Sequence, residues 1–348
     1  MKVGSSAGYW GSGPPPNIEQ RIAEAEALGV DSFWTAETYG SDALTPLAWW
    51  GSRTSRIALG TSVCQLSART PTAMAMAALT LDHLSGGRFL LGLGASGPQV
   101  VEGWYGQPYP RPLERTREYV EIMRRVWARD EPVIYDGRHY QLPHPGGAGL
   151  GKPLRSTVHP LRPDIPVLLG AEGPKNVALA AEIADGWIPL WFSPRSDGFY
   201  RAALEEGFAR DGARRTAVDF EVAAVVPIVE HDDVEQAARQ IKPLVALYAG
   251  GMGAQGVNFH NDVFVRMGWG DACAEIQQLY LAGRKDAAIE AVPTEMVEDV
   301  ALVGPVDKIC EDIERRWRPT CVTTIILYDW PRPDTRGRII DAVRGGQS

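Results

Sequence analysis

The sequence predicts a closed (β/α)8 barrel, and three observations support this fold class. Short apolar segments typical of β-strands alternate with amphipathic helical segments along nearly the whole chain. Eight strand segments can be counted, and each except the last is followed by helical sequence. A chain of 348 residues exceeds an ordinary single domain, but it suits a barrel of about 250 residues that carries insertions. We therefore expect one barrel domain over residues 1–348 rather than an open doubly wound sheet.

The predicted strands are short runs of apolar, β-branched and aromatic residues. They span residues 2–8, 32–37, 57–63, 89–93, 166–170, 186–191, 219–229 and 323–328. In a barrel of this class the site lies at the carboxyl ends of the strands. The residues that end each strand are therefore the candidate site residues.

The predicted helices carry an apolar residue at every third or fourth position. They span residues 17–28, 46–53, 71–84, 112–129, 174–184, 197–210 and 305–317, and a long helical region from 233 to about 300 is broken at Gly250–Gly253. We expect Asn17 to cap the first helix and Gly29 to end it. Pro71 stands in the first turn of its helix, where a missing N–H is tolerated.

Two further segments interrupt the alternation of strands and helices. Asp136-Gly137 lies between two β-prone runs in residues 133–141, which predicts a hairpin. Residues 143–163 are rich in glycine and proline and predict a long loop. We expect the hairpin and a helical insertion near 240–300 as additions to the barrel.

Composition excludes several classes of protein. The net charge is −8, and no basic cluster stands out that could follow a nucleic-acid backbone. The four cysteines are scattered without a C-x-x-C pair, as in reduced cytoplasmic proteins. No apolar run predicts a signal peptide or a membrane span. We expect a cytoplasmic protein that acts on a small molecule, without nucleic acid or membrane as a partner.

A glycine-rich loop, Gly92–Gly97, follows the fourth predicted strand and has the spacing G-x-G-x-x-G. In a Rossmann fold this loop opens a helix, and an acidic residue follows about 20 positions later on a second strand. Here the loop leads instead into Trp104–Gly106 and a stretch rich in proline and arginine. The loop therefore predicts close approach of backbone to a cofactor, but not a Rossmann fold.

Two other strand ends carry candidate binding residues. Gly170–Asn176 joins a strand to a helix, and this arrangement suits either a phosphate site or a simple tight turn. Glu37 ends the second strand, where its carboxylate either accepts hydrogen bonds from a ligand or is solvated. Both alternatives stay open for each feature.

Aromatic and polar clusters elsewhere have simpler explanations. Trp34 and Trp191 could flank a planar cofactor, but core packing is favoured for both. The cluster of residues 258–262 could form a lid or bind the tail of a cofactor, but a capped helix start in an insertion is favoured. The six histidines show no H-E-x-x-H or other metal spacing, so no metal site is expected. Pro98 stands where the second glycine of G-x-S-x-G belongs, which argues against a serine hydrolase.

Taken in order, five segments resemble the bacterial-luciferase-like superfamily. They are Phe33–Glu37, Leu59–Val63, Gly92–Pro98, Leu169–Gly173 and Ala184–Trp187. The resemblance spans roughly residues 1–330, and within the superfamily the chain is most similar to the branch that uses the deazaflavin coenzyme F420. Methylenetetrahydromethanopterin reductase and the deazaflavin sugar-phosphate dehydrogenases belong to that branch. The resemblance also implies a homodimer.

The resemblance assigns roles to particular residues. It implies a cis peptide at Ser62-Val63 beneath the deazaflavin ring and an acidic group, Glu37, beside it. It implies that the backbone of Gly94–Ser96 lies against the ring and its polyol, and that the Gly170–Gly173 loop holds the phosphate. The complete expected cofactor set is Glu37, Ser62, Val63, Cys64, Gly94, Ala95, Ser96, Gly170, Ala171, Glu172, Gly173 and Asn176.

The chain departs from the sugar-phosphate dehydrogenases at their proton-transfer pair. Thr38 stands where those enzymes have a histidine, and Gly97-Pro98 stands where they have a glutamate. Hydride transfer with a weak proton donor, as in reduction of an activated double bond or imine, is therefore expected. Tyr9, Tyr39 and Glu37 are the candidate catalytic residues. Two alternatives remain: a flavin mononucleotide (FMN)-dependent monooxygenase of the same superfamily, and a barrel that binds a cofactor without catalysis.

Overall fold

The centre of the protein is a closed ring of eight parallel strands, as seen in a computed structural model that describes residues 1–252 and 258–346. The ring strands are β1 Lys2–Ser6, β2 Ser32–Thr35, β3 Ala58–Thr61, β4 Phe89–Gly94, β5 Val167–Gly170, β6 Gly186–Ile188, β7 Glu221–Val226 and β8 Thr324–Leu327. Each strand pairs with the next, and β8 pairs with β1. The predicted (β/α)8 barrel is confirmed.

Helices surround the ring and form the insertions. They are α1 Ile18–Ala27, α2 Leu44–Gly51, α3 Pro71–Ser85, α4 Pro98–Gly103, α5 Pro112–Ala128, α6 Pro174–Ile183, α7 Asp197–Phe208, α8 Val234–Ala246, α9 Phe259–Arg266, α10 Gly270–Leu281, α11 Lys285–Glu290, α12 Thr294–Glu298, α13 Val306–Asp312 and α14 Arg336–Arg344. Short 3-10 turns at Leu66–Ala68 and Pro194–Ser196, and π turns at Leu247–Gly251 and Ile313–Trp317, complete the helical elements.

Packing separates an outer core from a small interior core. Helices α1, α3, α5, α6 and α14 cover the ring with their apolar faces. Inside the ring, Trp34 packs with Leu168, Ile188 and Ile326. Its indole nitrogen donates to the Ser32 hydroxyl at 2.7 Å, which satisfies the buried donor. Trp34 is therefore a core residue and not a wall for a cofactor.

The segment between β7 and β8 has a hydrophobic core of its own, built mainly from α8 to α12. The predicted strand 219–229 is two strands, because the ladder breaks at Pro227, which has no N–H to donate. The second piece, Ile228–Glu230, pairs in parallel with Leu302–Gly304, a strand that the sequence did not indicate. The helical insertion near 240–300 is confirmed for its described part, while Gly253 lies outside the described residues.

Several local expectations can be compared with the structure. The hairpin is confirmed as Tyr135–Asp136 paired with Gln141–Leu142, and residues 143–163 form a loop. The capping role of Asn17 is wrong, because its backbone is left-handed and its side chain makes no cap hydrogen bond. The expectation that no helix follows the last strand is also wrong, since α14 packs against β1. The expected single domain over residues 1–348 stays a prediction.

A glycine on β4 offers a direct test of how tightly the ring closes. A Cβ added to Gly92 would lie 1.8 Å from the Thr61 carbonyl oxygen, a backbone atom. We expect Gly92→Ala to lower the free energy of unfolding by about 3 kcal/mol or more. The matched control is Gly198→Ala in α7, where a Cβ meets nothing within 4 Å. That change should shift stability by no more than about 1 kcal/mol. Urea unfolding followed by circular dichroism measures both, and equal stabilities would contradict the close packing.

Candidate active site

A cavity of about 720 Å³ opens at the carboxyl ends of the ring strands. Its wall contains every residue predicted for the site except one: Tyr9, Glu37, Tyr39, Ser62, Val63, Gly94, Ala95, Ser96, Gly170, Ala171, Glu172, Gly173 and Asn176. The volume falls within the range of small-molecule and cofactor sites, about 300–1,000 Å³. The ends of seven strands, β1 to β7, and the insertion thus contribute to one cavity.

Cys64 is the predicted residue that the cavity wall does not include. Its side chain is fully buried and packs in the outer core. Burial raises the pKa of the Cys64 thiol far above its ordinary value, and the nearby Glu37 carboxylate adds to this effect. Cys64 therefore packs as a neutral core residue beneath its neighbours Val63 and Gln65, which do face the cavity.

The floor of the cavity is formed by Val63 and two glycines. The Ser62-Val63 peptide is cis, as predicted. A Cβ on Gly94 would lie 2.6 Å from Val63 Cγ2, and one on Gly170 would lie 3.3 Å from Val63 Cγ1. Val63 can therefore pack between β4 and β5 only because Gly94 and Gly170 have no side chains. The result is a smooth apolar floor that a flat ring could cover.

Glu37 is buried, and both of its carboxylate oxygens are used by protein donors. Oε1 accepts from the Gln65 backbone N–H at 2.8 Å and from Arg69 Nη1 at 2.8 Å. Oε2 accepts from the Ala43 N–H at 3.1 Å and from the same Arg69 nitrogen at 3.1 Å. Both carboxylate oxygens are thus occupied by a guanidinium and two backbone N–H groups. Glu37 therefore links the loops after β2 and β3 at the edge of the cavity.

The loop after β5 leaves its backbone accessible at the start of α6. Gly173 is the residue before the helix, and its carbonyl accepts from the N–H groups of Asn176 and Val177, both at 3.0 Å. A Cβ at Gly173 would meet nothing within 4 Å, so open space faces this position. Arg266 Nη2 donates to the Glu172 carbonyl at 3.0 Å and brings positive charge to the loop.

Tyr9 and Tyr39 differ in their surroundings. Desolvation raises the pKa of Tyr9, while a hydrogen bond with Tyr248 opposes the rise. Burial raises the pKa of Tyr248 as well, so both hydroxyls are neutral near pH 7 and able to donate. Tyr39 is 59% exposed at the rim and contacts the edge of Trp104. Tyr9 is thus the better placed of the two to act on a ligand in the cavity.

The insertion supplies five described residues of the cavity wall that were not in the predicted site set, and Tyr248 and His260 are the two with titratable side chains. Asn258 caps α9 by accepting from the N–H groups of His260 and Asn261, which confirms the expected capped helix start. That cap also sets His260 in the cavity wall, where its Nδ1 lies 2.7 Å from Glu172 Oε1. Trp191 is 2% exposed and packs on Tyr248 outside this cavity.

The cavity wall contains carboxylate, imidazole and phenol groups but no metal centre. Within residues 1–252 and 258–346, no three His, Cys, Asp or Glu side chains are grouped so that they could hold a metal ion.

None of the helices described in residues 1–252 and 258–346 has the length and apolar content needed to cross a membrane.

Comparison with known proteins places the chain in a family. The model of the luciferase-like monooxygenase family matches residues 2–324, and the chain therefore belongs to that family. A Mycobacterium tuberculosis protein, named as a coenzyme F420-dependent oxidoreductase, is 57% identical over 329 residues, which cover 94% of each chain.

More distant relatives extend the comparison. The 5,10-methylenetetrahydromethanopterin reductase of Archaeoglobus fulgidus is 28% identical, over 85% of this chain and 84% of its own. The solved structure of the coenzyme F420-dependent tetrahydromethanopterin reductase from Methanopyrus kandleri superposes with a TM-score of 0.75 at 23% identity, covering 99% of this chain and 97% of that one. That superposition supports the barrel fold.

The hydrogen bonds of Glu37 predict a structural penalty when its charge is removed. Glu37→Gln places an amide NH2 among donors and removes the nearer anionic partner of Arg69, at 2.8 Å, leaving only the longer contact of Arg69 with Asp42 at 3.7 Å. We expect a loss of about 2–3 kcal/mol in the free energy of unfolding. The control is Glu19→Gln, which breaks the exposed ion pair with Arg53 and should change stability by less than about 1 kcal/mol. Thermal unfolding of the two variants compares them, and a smaller loss for Glu37→Gln would contradict its structural role.

Proposed function

We propose that the chain is an F420-dependent oxidoreductase that transfers a hydride between the deazaflavin and a small organic substrate. The observation that carries this proposal is the single cavity that unites the predicted ring and phosphate residues. The name of the M. tuberculosis relative supports the same cofactor, and the name of the A. fulgidus relative, a reductase, supports redox chemistry. A cytoplasmic location, expected from the composition, and a homodimer, implied by the family resemblance, are part of the proposal.

The proposed position of the ring follows from the shape of the floor. Gly94, Gly170 and the cis Ser62-Val63 peptide form a smooth surface at the base of the cavity. Ile188, Leu190 and Val225 extend it with apolar side chains. Burial of a tricyclic ring on this surface is favoured by the hydrophobic effect, at about 25 cal/mol per Å² of apolar area.

The proposed phosphate position is the Gly170–Gly173 loop at the start of α6. Phosphate binding needs several N–H donors and a positive field, and a glycine loop that opens a helix provides both. Open space at Gly173 and the guanidinium of Arg266 beside the loop favour this position. A cofactor with its ring on Val63 and its phosphate at Gly173 would remain within the one cavity.

Reduced F420, when bound, would supply a hydride, and the residues of the cavity would supply the matching proton. Tyr9 is the proposed donor, because its neutral hydroxyl belongs to a residue of the cavity wall, as does that of Tyr248. Glu37, proposed from sequence as a catalytic group, acts here as a positioning residue for the loops after β2 and β3. Thr38 lines the cavity where the related dehydrogenases have a histidine. This favours reduction of a polarised double bond over oxidation of an alcohol.

Titration with each cofactor separates this proposal from the FMN-dependent monooxygenase. The proposal expects quenching of F420 fluorescence at micromolar protein and weaker binding of FMN. Oxidation of bound, reduced F420 in a screen of enones, imines and ketones then tests catalysis. Tight binding of FMN with no binding of F420 would support the monooxygenase. Binding of F420 with no turnover of any acceptor would favour the non-catalytic alternative.

Gly173 allows a sharp test of the phosphate position. Its φ of −80° suits any residue, and an added side chain would enter open space rather than clash with the protein. Gly173→Val should therefore fold normally and yet block approach of the phosphate. We expect F420 to bind at least tenfold more weakly, about 1.4 kcal/mol, by isothermal titration. The thermal midpoint of the free protein checks the fold, and unchanged F420 affinity would place the phosphate elsewhere.

A further inference from the structure

A buried acid–imidazole pair borders the proposed phosphate position. Glu172 lies on the loop between β5 and α6, and His260 lies in the first turn of α9. His260 Nδ1 is 2.7 Å from Glu172 Oε1, and the two side chains are 11% and 8% exposed. The pair therefore joins the insertion to the very loop that is proposed to hold an anion.

Glu172 has a buried carboxyl oxygen that its surroundings leave without a hydrogen bond. Its Oε2 atom is buried and has no hydrogen-bond partner among the described residues. Arg266 contacts the backbone carbonyl of Glu172 rather than its carboxylate, and the Arg266 and Lys175 side chains are exposed to screening solvent. An anion that enters this loop would therefore meet a buried carboxylate, which is unfavourable unless positive charge is added.

His260 is the group that can add this charge near neutral pH. The other titratable groups around the pair are Tyr9, Tyr248 and Tyr200, and burial raises the pKa of each, so that they stay neutral. Asp262 is exposed on the same helix as His260. An imidazole in general changes charge between about pH 5 and 8, and the ring of His260 is held 2.7 Å from Glu172 Oε1.

We propose that His260 takes up a proton when the phosphate of F420 binds at Gly170–Gly173, so that the Glu172–His260 pair forms part of the phosphate site. The proton comes from solvent and adds to the imidazole, and no other bond is made or broken. The inference rests on the proposed function. Its sign follows from linkage: binding that takes up a proton weakens as pH rises, so F420 affinity should fall between pH 6 and pH 8.

Isothermal titration calorimetry measures directly how many protons are taken up when F420 binds. F420 is titrated at pH 7 in two buffers of different ionisation heat, and the difference in enthalpy gives the protons taken up. The comparison ligand is the deazaflavin–ribitol fragment, which has the same ring and ring hydroxyl but no phosphate. We expect binding of F420 to take up at least about 0.3 proton more than binding of the fragment. This value corresponds to partial protonation of one imidazole. Equal uptake by the two ligands would overturn the proposal.

Two variants assign the proton to the pair. His260→Asn keeps an N–H near the Nδ1 position but cannot become charged, so the extra uptake should vanish and F420 affinity at pH 6 should fall at least threefold. Glu172→Gln removes the opposing charge and should bind F420 at least threefold more tightly at pH 8, also without extra uptake. His83→Asn, at an exposed histidine on α3, is the control and should behave as the parent protein.

The outcomes distinguish this inference from the proposed function. Extra uptake that persists in His260→Asn would overturn the role of the pair, even though F420 binds. If His260→Asn does not fold, Glu172→Gln carries the test, and unchanged uptake in that variant is equally contradictory. If the parent protein does not bind F420, the proposed function fails and the inference fails with it.

Discussion

The closure between β3 and β4 is the contact on which the site depends. The two strands pair through only two residue pairs, Leu59 with Phe89 and Gly60 with Leu90. Beyond them the Thr61 hydroxyl bridges the strands: it donates to the Gly92 carbonyl at 2.8 Å and accepts from the Gly92 N–H at 2.9 Å. Pairing resumes at Cys64–Leu93 and Gln65–Gly94. Ser62 and Val63 occupy the interval between these pairings, and so they are the residues that reach the cavity floor.

That closure requires small residues on the neighbouring strands. Gly92 permits the approach of the Thr61 backbone, and Gly94 makes room for the Val63 side chain. Glu37 then fixes the segments that follow β2 and β3, through Ala43, Gln65 and Arg69. A chain of contacts thus runs from the barrel seam to the proposed ring position. Because each contact depends on the one before it, stability and cofactor binding are expected to be coupled.

The barrel and most of the site could be predicted because they follow from local sequence patterns. Period-two and period-3.6 hydrophobic runs place the strands and helices, and barrel geometry then gathers the strand ends into one cavity. Cys64 was predicted within that set, but it packs into the core between two neighbours that face the cavity. Successive side chains along a strand lie on opposite faces. Cys64 was included because the family motif was matched residue by residue, and such a match does not consider which face each side chain occupies.

The roles of Glu37 and His260 could not be predicted, because each depends on a distant contact. Arg69 is 32 positions from Glu37, and His260 is 88 positions from Glu172. The local sequence pattern indicates a carboxylate at a strand end and a capped helix start. It does not indicate which distant residue contacts either of them. Arg69 forms an ion pair with Glu37, and Glu172 pairs with a histidine that the insertion brings into the cavity wall.

We propose that one cavity holds the deazaflavin ring over Val63 and the phosphate at the start of α6. An electron-density map of the protein crystallised with oxidised F420 tests both positions at once. We expect ring density against Ser62-Val63 and Gly94, and phosphate density within hydrogen-bond distance of backbone nitrogens of the Gly170–Gly173 loop. Ring density outside this cavity, or phosphate density remote from that loop, would contradict it.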